Sequence, residues 1–401
     1  MEKELIVRGA PQEFVCETGA WQTLPRHLER RGLQRILVLK GTKSWEVAER
    51  FFPELPNYTV AFHTYQGEST YEERDFLVEK IAEENWEAVV AVGGGKITDL
   101  AKAAAIVSNK PVIILPTLAS TCAAYTPLSV MYSPEGSMIR YDVFPRSNGL
   151  VLLDPEVILH SPKELLIAGI GDTLAKWYEA DVIIRQLEQK PVEVEIAHFT
   201  AKLCRDNLLQ YSEAALTAME AGELNEAFVK IVETNIMVGG MVGGFGDDYG
   251  RCAGAHSIHD ALTILPETHH LLHGNKVAYG IFVQLVLEGN WQEIDTLLPF
   301  YQSLQLPASL VDLGLAELPE ARLAEVADRA ASEHETIHLM PGKMTADKVL
   351  QAIDQLEIFM EKKGSKCEKS FLMRNDIGKL FYYLRSIAFS SKKRYPKTED
   401  N

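Results

Sequence analysis

The chain has 401 residues, of which 46% are hydrophobic and 24% are charged, and its formal net charge is −16. This length exceeds what one hydrophobic core usually serves, so two domains are expected. The negative charge repels anionic partners, so we expect neither nucleic acid nor a membrane surface as a partner. No run of about 18 apolar residues predicts a helix that spans a membrane.

The cysteines favour a reducing compartment. They are odd in number, widely scattered and without a Cys-x-x-Cys spacing, which argues against a disulfide framework or a zinc ribbon. The first residues also lack the charged and apolar regions of a signal peptide. We therefore expect a cytoplasmic protein. The five cysteines are Cys16, Cys122, Cys204, Cys252 and Cys367.

Short apolar runs alternate with amphipathic stretches over residues 1–160. This pattern is typical of an α/β domain with a parallel sheet of the Rossmann type, flanked by helices. We interpret 1–160 as a dinucleotide-binding domain. The predicted strands cover 35–39, 58–62, 88–92, 111–116 and 149–154, and the clearest predicted helices cover 72–85 and 97–107.

Helical periods dominate after residue 160, so 161–360 is predicted to be an all-α domain, with the boundary between 155 and 162. The predicted helices cover 164–184, 192–209, 212–221, 225–241, 279–288 and 344–359. Residues 361–401 form a basic extension with eleven Lys or Arg and five Asp or Glu. It is either a docking segment or a terminus without a role.

A glycine-rich segment, Gly93-Gly94-Gly95-Lys96, follows the strand at 88–92 and opens the next helix. Glycines let backbone N–H groups approach a phosphate closely, and a helix N-terminus adds partial positive charge. The segment therefore predicts a diphosphate site, although a simple tight turn is the alternative. Thr117 and Ser120 follow the next strand, where ligands bind in open parallel sheets, and could reach the same cofactor.

One carboxylate and several histidines in the helical half have the composition of a metal site. Five of the 11 histidines lie within 256–273. His256 and His259 are three residues apart, on one face of a helix. Asp172 and two histidines from this segment, which also includes His273, could supply three protein ligands. One position of zinc would then stay open, which is the catalytic arrangement. Ordinary helix packing is the alternative for any single histidine.

Taken in order along residues 5–360, these motifs resemble the iron-containing or group III alcohol dehydrogenases, and within them the glycerol dehydrogenase branch. The resemblance rests on GGGKITDLAK (93–102), PTLAST (116–121), LSVMY (128–132), GIGDTLAKWYEA (169–180), AHSIHDALT (255–263) and THHLLHGNKVAYG (268–280). It implies a dehydroquinate synthase-like fold, with a cleft between the two domains, and an NAD(P)-dependent oxidoreductase acting on CH–OH and C=O groups. It also implies a homo-oligomer that acts on a small-molecule substrate.

The resemblance also implies the roles of individual residues. Metal ligands fall on Asp172, His256 and His273, while His259 is a candidate proton relay. In iron-dependent members a histidine follows the aspartate by four residues, and this chain has Lys176 there, so zinc fits better. Cofactor contacts fall on Gly94, Gly95, Lys96 and Asp99 at the diphosphate, on Thr117 and Ser120 along its path, and on Thr126, Leu128 and Tyr132 near the nicotinamide.

Three departures from glycerol dehydrogenases favour an anionic substrate. Cys122 replaces an aspartate that binds a substrate hydroxyl, while Lys176 and Arg251 stand where uncharged residues are usual. We interpret Cys122, Lys176 and Arg251 as substrate contacts and Lys176 as a second catalytic candidate. A 2-oxo acid is the predicted substrate, in line with a subgroup of the family, and solvated or ion-paired bases are the alternative.

The residues that follow the strand at 35–39 indicate which cofactor is preferred. NAD-preferring relatives often place an acidic residue there, which binds the ribose 2′-hydroxyl and repels a 2′-phosphate. Here that position falls on Gly41 or Thr42, between Lys40 and Lys43. This favours NADP(H) over NAD(H). A zinc- and NAD-dependent polyol dehydrogenase, a dehydroquinate synthase-like lyase and a non-catalytic nucleotide-binding protein remain as alternatives.

Overall fold

A computed structural model describes residues 4–9 and 11–363, and its larger sheet has six strands, all parallel, in the order β1-β8-β5-β4-β2-β3. A smaller antiparallel sheet pairs β6 with β7. The strands are β1 (Phe14–Cys16), β2 (Arg35–Lys40), β3 (Thr59–Thr64), β4 (Ala88–Gly93), β5 (Val112–Pro116), β6 (Leu128–Tyr132), β7 (Met138–Val143) and β8 (Leu150–Leu153). The expected parallel sheet is thereby confirmed.

Helices flank the sheet and make up most of the chain after it. They are α1 (Leu24–Arg30), α2 (Thr42–Ala48), α3 (Tyr71–Glu83), α4 (Gly95–Val107), α5 (Pro155–Leu159), α6 (Lys163–Ile184), α7 (Val192–Ala221), α8 (Glu226–Glu233), α9 (Gly239–Gly246), α10 (Gly254–Leu262), α11 (His273–Leu287), α12 (Trp291–Leu304) and α13 (Glu320–Ala330). A π-helical turn, Thr234–Val238, joins α8 to α9.

The chain forms one compact unit over Met1–Ala352 and a second over Ile353–Asn401. Residues 346–352 end the first unit as a helix, and the described part of the second unit, 353–363, is also helical. Within the first unit, the last strand of the large sheet ends at Leu153 and the remaining elements are helical. A domain boundary at 155–162 stays a prediction, and the basic extension beyond residue 363 lies outside the described residues.

Several predicted elements needed correction. The segments 192–209 and 212–221 form one helix, α7, because Tyr211 and Ser212 carry no feature that breaks a helix; the chain turns only at Gly222, with φ of 69°. The helix predicted to start at 279 already begins at His273. The short β1 and the β6–β7 hairpin were missed, because three residues carry little periodicity and β7 is largely exposed.

The register of the large sheet brings the predicted cofactor segments together. All of β4 is buried, as its run of apolar residues requires between two layers of helices. Lys40 of β2 pairs with Val92 of β4, and Gly93 pairs with Pro116 of β5. The carboxyl ends of three neighbouring strands are therefore level, and the loops that follow them share one edge of the sheet.

Among the residues that the structure describes, one helical stretch is long and apolar enough to be compared with a membrane span. Residues Glu226–Gly250 include α8, the π turn and α9, and 61% of their most apolar part is buried inside the protein. A core helix of a folded domain has the same composition. This burial favours a core helix of the folded protein over a membrane span.

Glycines let α6 and α11 approach closely, and this approach forms the site described below. A Cβ on Gly274 would lie 1.7 Å from the backbone oxygen of Ala168, and one on Gly171 would lie 2.6 Å from the backbone oxygen of Gly274. No side chain fits at these distances. The contact places Asp172, which follows Gly171, beside His273, which precedes Gly274.

Candidate active site

Asp172, His256 and His273 converge from three different helices, α6, α10 and α11. Asp172 Oδ1 lies 3.3 Å from Nε2 of His256 and 3.3 Å from Nε2 of His273. One ligand atom from each residue lies within 4.8 Å of the other two. Asp172 is buried, and both histidines are partly buried. These distances allow all three side chains to share one ion.

A buried carboxylate orients the first histidine. Glu179 lies two turns after Asp172 on α6; its Oε2 is 2.6 Å from His256 Nδ1. Its Oε1 accepts the backbone N–H groups of Ala253 and His256 at 2.7 and 2.9 Å. With its proton held at Nδ1, His256 presents the lone pair of Nε2 toward Asp172, as a metal ligand must.

A longer chain of contacts orients the second histidine. His273 Nδ1 lies 2.9 Å from His259 Nε2, and His259 Nδ1 lies 2.8 Å from Asp260 Oδ1. Burial, followed by His273, lowers the pKa of His259 to about 3, although Asp260 opposes the shift. His259 is therefore neutral near pH 7. It can accept the N–H of His273 and donate its own to Asp260, which leaves Nε2 of His273 free for a metal.

Replacing Glu179 by glutamine tests this orientation. The amide of E179Q places a donor where Oε2 accepted, so the proton of His256 moves to Nε2 and blocks the ligand atom. We expect metal affinity to fall roughly 10- to 100-fold, measured by competition with a chromogenic chelator. E164Q, an exposed position on the same helix α6, is the matched control. Unchanged affinity in E179Q would refute the tautomer argument.

The electrostatics of the site favour a bound cation. Burial alone would raise the pKa of Asp172, but Lys176 and then His273 reverse the effect and hold it well below its usual range. Burial disfavours the charged form of His256, but Cys252 and Glu179 hold its pKa well above its usual range. The site thus keeps a carboxylate ionised and stabilises a positive charge on the neighbouring imidazole. A metal ion would displace that proton.

The donor set fits a divalent metal. One carboxylate and two imidazoles are common ligands of catalytic zinc, and three protein ligands leave a position open. The same three ligand types also suit iron, so the set alone does not choose between them. Glu179, Cys252 and His256 form a second cluster with ligand spacing among the described residues. That cluster shares His256, whose Nδ1 already donates a hydrogen bond to Glu179.

Lys176 lies one turn after Asp172 on α6 and is buried, with 9% of its surface exposed. Burial opposes its charge, but Asp172, Cys252 and Cys122 raise its pKa above its ordinary value. Within residues 4–9 and 11–363, its ammonium makes no hydrogen bond and no ion pair shorter than 4.0 Å. A buried, charged ammonium without a direct partner can bind an anionic ligand, and it lies beside the metal ligands.

Cys122 and Arg251, the other two predicted substrate contacts, differ in charge and in pairing. Burial raises the pKa of Cys122, although Lys176 pulls it down, so the thiol is neutral. Arg251 lies 3.0 Å from Asp247 Oδ1, and its side chain is 12% exposed. Arg251 is thus already ion-paired, as the alternative interpretation held. A contact of either residue with the substrate stays a prediction.

The glycine-rich segment turns tightly between β4 and α4. A Cβ on Gly93 would lie 2.4 Å from Ile97, and one on Gly94 would lie 3.0 Å from Leu118. Gly41, at the end of β2, also has Ile97 close, 2.8 Å from where its Cβ would be. The structure therefore brings Gly41, Gly94 and Gly95 to one edge of the sheet. The N-terminus of α4 is available there for a diphosphate.

Lys96 is a cation at this edge, with its side chain 44% exposed. Its Nζ lies 2.6 Å from Glu68 Oε1 and 4.9 Å from the ring centroid of Tyr132. Tyr132 is mostly buried, and this burial raises its pKa. Thr117 follows β5, and its Oγ1 is buried without a hydrogen-bond partner in the described part of the chain. Ser120 is partly buried in the same loop.

Asp99 instead ties α4 to the hairpin. It is buried, lies 2.9 Å from Lys102 Nζ and accepts the N–H of Val130 at 3.2 Å. Lys102 also donates to the backbone oxygens of Thr126, at 3.1 Å, and of Leu128. Asp99, Thr126 and Leu128 are thus joined through one buried lysine. This network shapes the loop; direct contacts of these residues with a cofactor stay predictions.

Comparison with known proteins gives the family. Residues 11–155 match the family described as iron-containing alcohol dehydrogenase. Hydroxycarboxylate dehydrogenase A of Escherichia coli is 37% identical over 353 residues, covering 87% of this chain and 96% of that protein. The chain belongs to the iron-containing alcohol dehydrogenase family. Glycerol dehydrogenase of Thermotoga maritima is 35% identical over 348 residues, covering 86% of this chain and 94% of that protein.

Solved structures of the family agree. Glycerol dehydrogenase from Schizosaccharomyces pombe superposes with a TM-score of 0.81 at 29% identity, covering 92% of this chain and 94% of that one. A probable glycerol dehydrogenase from Sinorhizobium meliloti 1021 gives 0.80 at 30% identity, covering 88% and 98%. The chain is therefore an NAD(P)- and metal-dependent alcohol dehydrogenase-type oxidoreductase of the glycerol dehydrogenase-like branch, acting on a small molecule.

Sequence reasoning missed the residues that support the ligands. Glu179 is seven residues after Asp172, on the same helical face, and Asp260 adjoins His259; either spacing could have indicated a partner. The role of Lys102 was not predicted, because the sequence shows it only as a lysine within a helical pattern. Lys276 is also buried. Burial lowers its pKa to about 8; Asp260 opposes this shift and Lys96 adds to it.

Proposed function

We propose that this family member is a 2-oxo acid reductase, or 2-hydroxycarboxylate dehydrogenase, that prefers NADP(H). The observation that carries the proposal is Lys176, a buried ammonium beside Asp172 without a direct partner among the described residues. A 2-oxo acid has a carboxylate next to its carbonyl. One such molecule could therefore place its carboxylate on Lys176 while its carbonyl faces the metal ligands.

The neutral thiol of Cys122 supports an anionic substrate. The charge of Lys176 lowers the pKa of Cys122, and Cys122 raises the pKa of Lys176. A carboxylate in place of this thiol would neutralise the ammonium and accept a polyol hydroxyl. The thiol does neither, so Lys176 keeps its charge for the substrate. The E. coli relative named hydroxycarboxylate dehydrogenase A is consistent with this choice.

The NADP(H) preference rests on the end of β2. Gly41 caps α2, and the neighbouring Lys40 and Lys43 replace any acidic residue that would repel a 2′-phosphate. Lys40 lies 5.0 Å from the ring centroid of Trp45, which holds its cation at this edge. A phosphate on the ribose would meet positive charge here, whereas the 2′-hydroxyl of NAD(H) would find no carboxylate partner.

Zinc is the proposed metal, held by Asp172, His256 and His273. Lys176 stands where a fourth ligand would be needed, one turn after Asp172, and an ammonium cannot coordinate a metal. Three protein ligands with an open position suit catalytic zinc. The ammonium also repels the ion, by a few kcal/mol at most for an effective dielectric constant of about 20.

In this proposal, side chains of the protein bind the substrate, orient the metal ligands and transfer the proton. When bound, the metal supplies a Lewis acid for the carbonyl and the nicotinamide supplies the hydride. Lys176 binds the substrate carboxylate and so orients the carbonyl carbon toward the nicotinamide. Glu179 and the His259–Asp260 pair hold the ligand imidazoles in place. His259 is also the proposed proton relay, because it joins His273 to Asp260 by two contacts of 2.9 and 2.8 Å.

The proposal is tested with a substrate panel on the unmodified enzyme. We expect kcat/KM for 2-oxobutyrate or 2-oxoglutarate to exceed that for dihydroxyacetone, because only the oxo acids offer Lys176 a carboxylate. NADPH should outperform NADH in the same assay, and a zinc chelator should abolish turnover. Strong glycerol oxidation without oxo acid reduction would instead identify a polyol dehydrogenase, the second candidate, which the named glycerol dehydrogenase relatives favour. A higher kcat/KM with NADH would refute the cofactor preference.

We make five further proposals about the organisation, location and assembly of the chain. They are a dinucleotide-binding domain over 1–160, a metal- and substrate-binding domain over 161–360, a basic extension over 361–401, a cytoplasmic location and a homo-oligomer. Neither nucleic acid nor a membrane is proposed as a partner, given the net charge of −16.

A further inference from the structure

Glu179, Cys252 and His256 form a cluster of potential metal ligands that adjoins the Asp172 site at His256. One ligand atom from each of the three residues lies within 4.8 Å of the other two. Glu179 is buried, with 1% of its surface exposed, while Cys252 and His256 are partly buried. Cys252 is not among the predicted substrate or cofactor contacts. The cluster therefore combines the spacing of a metal site with a thiol that has no other assigned role.

Backbone hydrogen bonds hold the members of this cluster together. Glu179 Oε1 accepts the N–H groups of Ala253 and His256 at 2.7 and 2.9 Å. Ala253 directly follows Cys252 in the chain, so the first of these bonds anchors the cysteine beside the carboxylate. Both bonds use Oε1, which leaves the lone pairs of Oε2 for the side chains. An ion bound at Oε2 would leave this backbone anchor intact.

His256 directs its two ring nitrogens toward two different carboxylates. Its Nε2 lies 3.3 Å from Asp172 Oδ1, whereas its Nδ1 lies 2.6 Å from Glu179 Oε2. The two nitrogens of an imidazole are separate ligand positions. A ring that has lost both protons can therefore bridge two cations. An ion at Nδ1 would replace the proton that Glu179 holds, without displacing an ion at Nε2.

The donor set of the cluster favours a cation that prefers sulfur. Carboxylate, imidazole and thiolate are all ligands of zinc, and a thiolate selects zinc or cadmium over magnesium or calcium. Cys252 is a free thiol, and it gives up its proton to the solvent when it binds an ion. Lys176, one turn before Glu179 on α6, and an ion at Asp172 both repel a second cation. We therefore expect the second ion to bind more weakly than the first.

We propose that Glu179, Cys252 and Nδ1 of His256 form a second cation site, which binds zinc or cadmium when the metal is in excess and inhibits the enzyme. His256 then bridges the two ions. Its electron density is shared between them, so the ion at Asp172 is held less firmly and polarises the substrate less well. The inference does not depend on which substrate or nucleotide the enzyme uses.

Cobalt provides the first test, because a thiolate bound to Co²⁺ gives an intense charge-transfer absorption in the near ultraviolet. Full-length enzyme stripped by a chelator and titrated with Co²⁺ should bind a second ion after the first, with this absorption rising as the second ion binds. C252S should bind the first ion alone and lack the absorption. C16S removes a cysteine outside both clusters and should behave like the wild type.

The absorption also separates this proposal from the catalytic metal site. A wild-type enzyme without the thiolate absorption, or a C252S variant that retains it, would overturn the second site. Because C252S should still bind the first ion, its metal content distinguishes a lost site from a misfolded protein. Failure of the Asp172 site would leave the cobalt–thiolate absorption in place, so the two sites can be refuted independently.

Inhibition by excess zinc provides the second test, measured with the best substrate of the panel. Zinc added after the first site is filled should inhibit the wild type and C16S alike. Removing a group that only orients a ligand weakens metal binding roughly 10- to 100-fold, so removing the thiolate itself should raise the inhibitory zinc concentration at least about tenfold in C252S. Equal inhibition of C252S and the wild type would refute the inhibitory role of the cluster.

Discussion

Replacing Asp172 by asparagine will remove both bound metal and activity. Asparagine keeps the size of the side chain but loses the charge that lies 3.3 Å from each ligand histidine. Polarisation of a carbonyl by a metal contributes several kcal/mol. At about 1.4 kcal/mol for each factor of ten, we expect kcat/KM to fall on the order of a thousandfold. Metal content by mass spectrometry and oxo acid reduction with NADPH are the two measurements.

The control for D172N is D181N, on the same helix α6. Asp181 contacts His198 and Arg185 and belongs to neither ligand cluster. D181N should keep its metal and its turnover. Wild-type enzyme stripped by a chelator should resemble D172N and recover when zinc is returned. Full activity in a metal-free preparation would contradict the metal site.

Replacing Lys176 by methionine will change specificity more than it changes the reaction. Methionine has a similar length and no charge, so the substrate carboxylate loses a charge-assisted hydrogen bond of roughly 1.5–3 kcal/mol. This corresponds to an expected fall of about 10- to 150-fold in kcat/KM for 2-oxobutyrate. Reduction of dihydroxyacetone, which has no carboxylate, should change by less than about threefold. Metal affinity should not fall, because a repulsive charge has gone.

The control for K176M is K163M, at the start of α6, where Lys163 pairs with Glu220 on the surface. It should leave both substrates unaffected. Equal losses for charged and neutral substrates in K176M would mean that Lys176 supports the fold or the metal site and does not select an anion. In that case the family membership and the metal ligands would stand, while the oxo acid proposal would fall.

Elements with a local signal were predictable from the order of the amino acids. Five strands of the parallel sheet could be read from apolar runs. Four of them, β2, β4, β5 and β8, are mostly or fully buried, and a strand buried on both faces needs apolar residues. The candidate metal ligands Asp172, His256 and His273 could be named from residue type, spacing and family resemblance. The glycine-rich turn after β4 could also be predicted, because consecutive glycines after an apolar run are a local signal. What these elements share is a pattern that neighbouring residues in the chain create.

Contacts between residues that are distant in the chain depend on how the helices pack. The close approach of α6 and α11 depends on an absent Cβ at Gly274, and it places Asp172 beside His273. The tautomer of His256 depends on Glu179, and that of His259 on Asp260, which are contacts between or along packed helices. Arg251 is ion-paired with Asp247, whereas Lys176 has no direct partner among the described residues, and a substrate contact of either residue stays a prediction. Burial and pairing are properties of the packed chain, so the partners of a basic residue do not follow from its type alone.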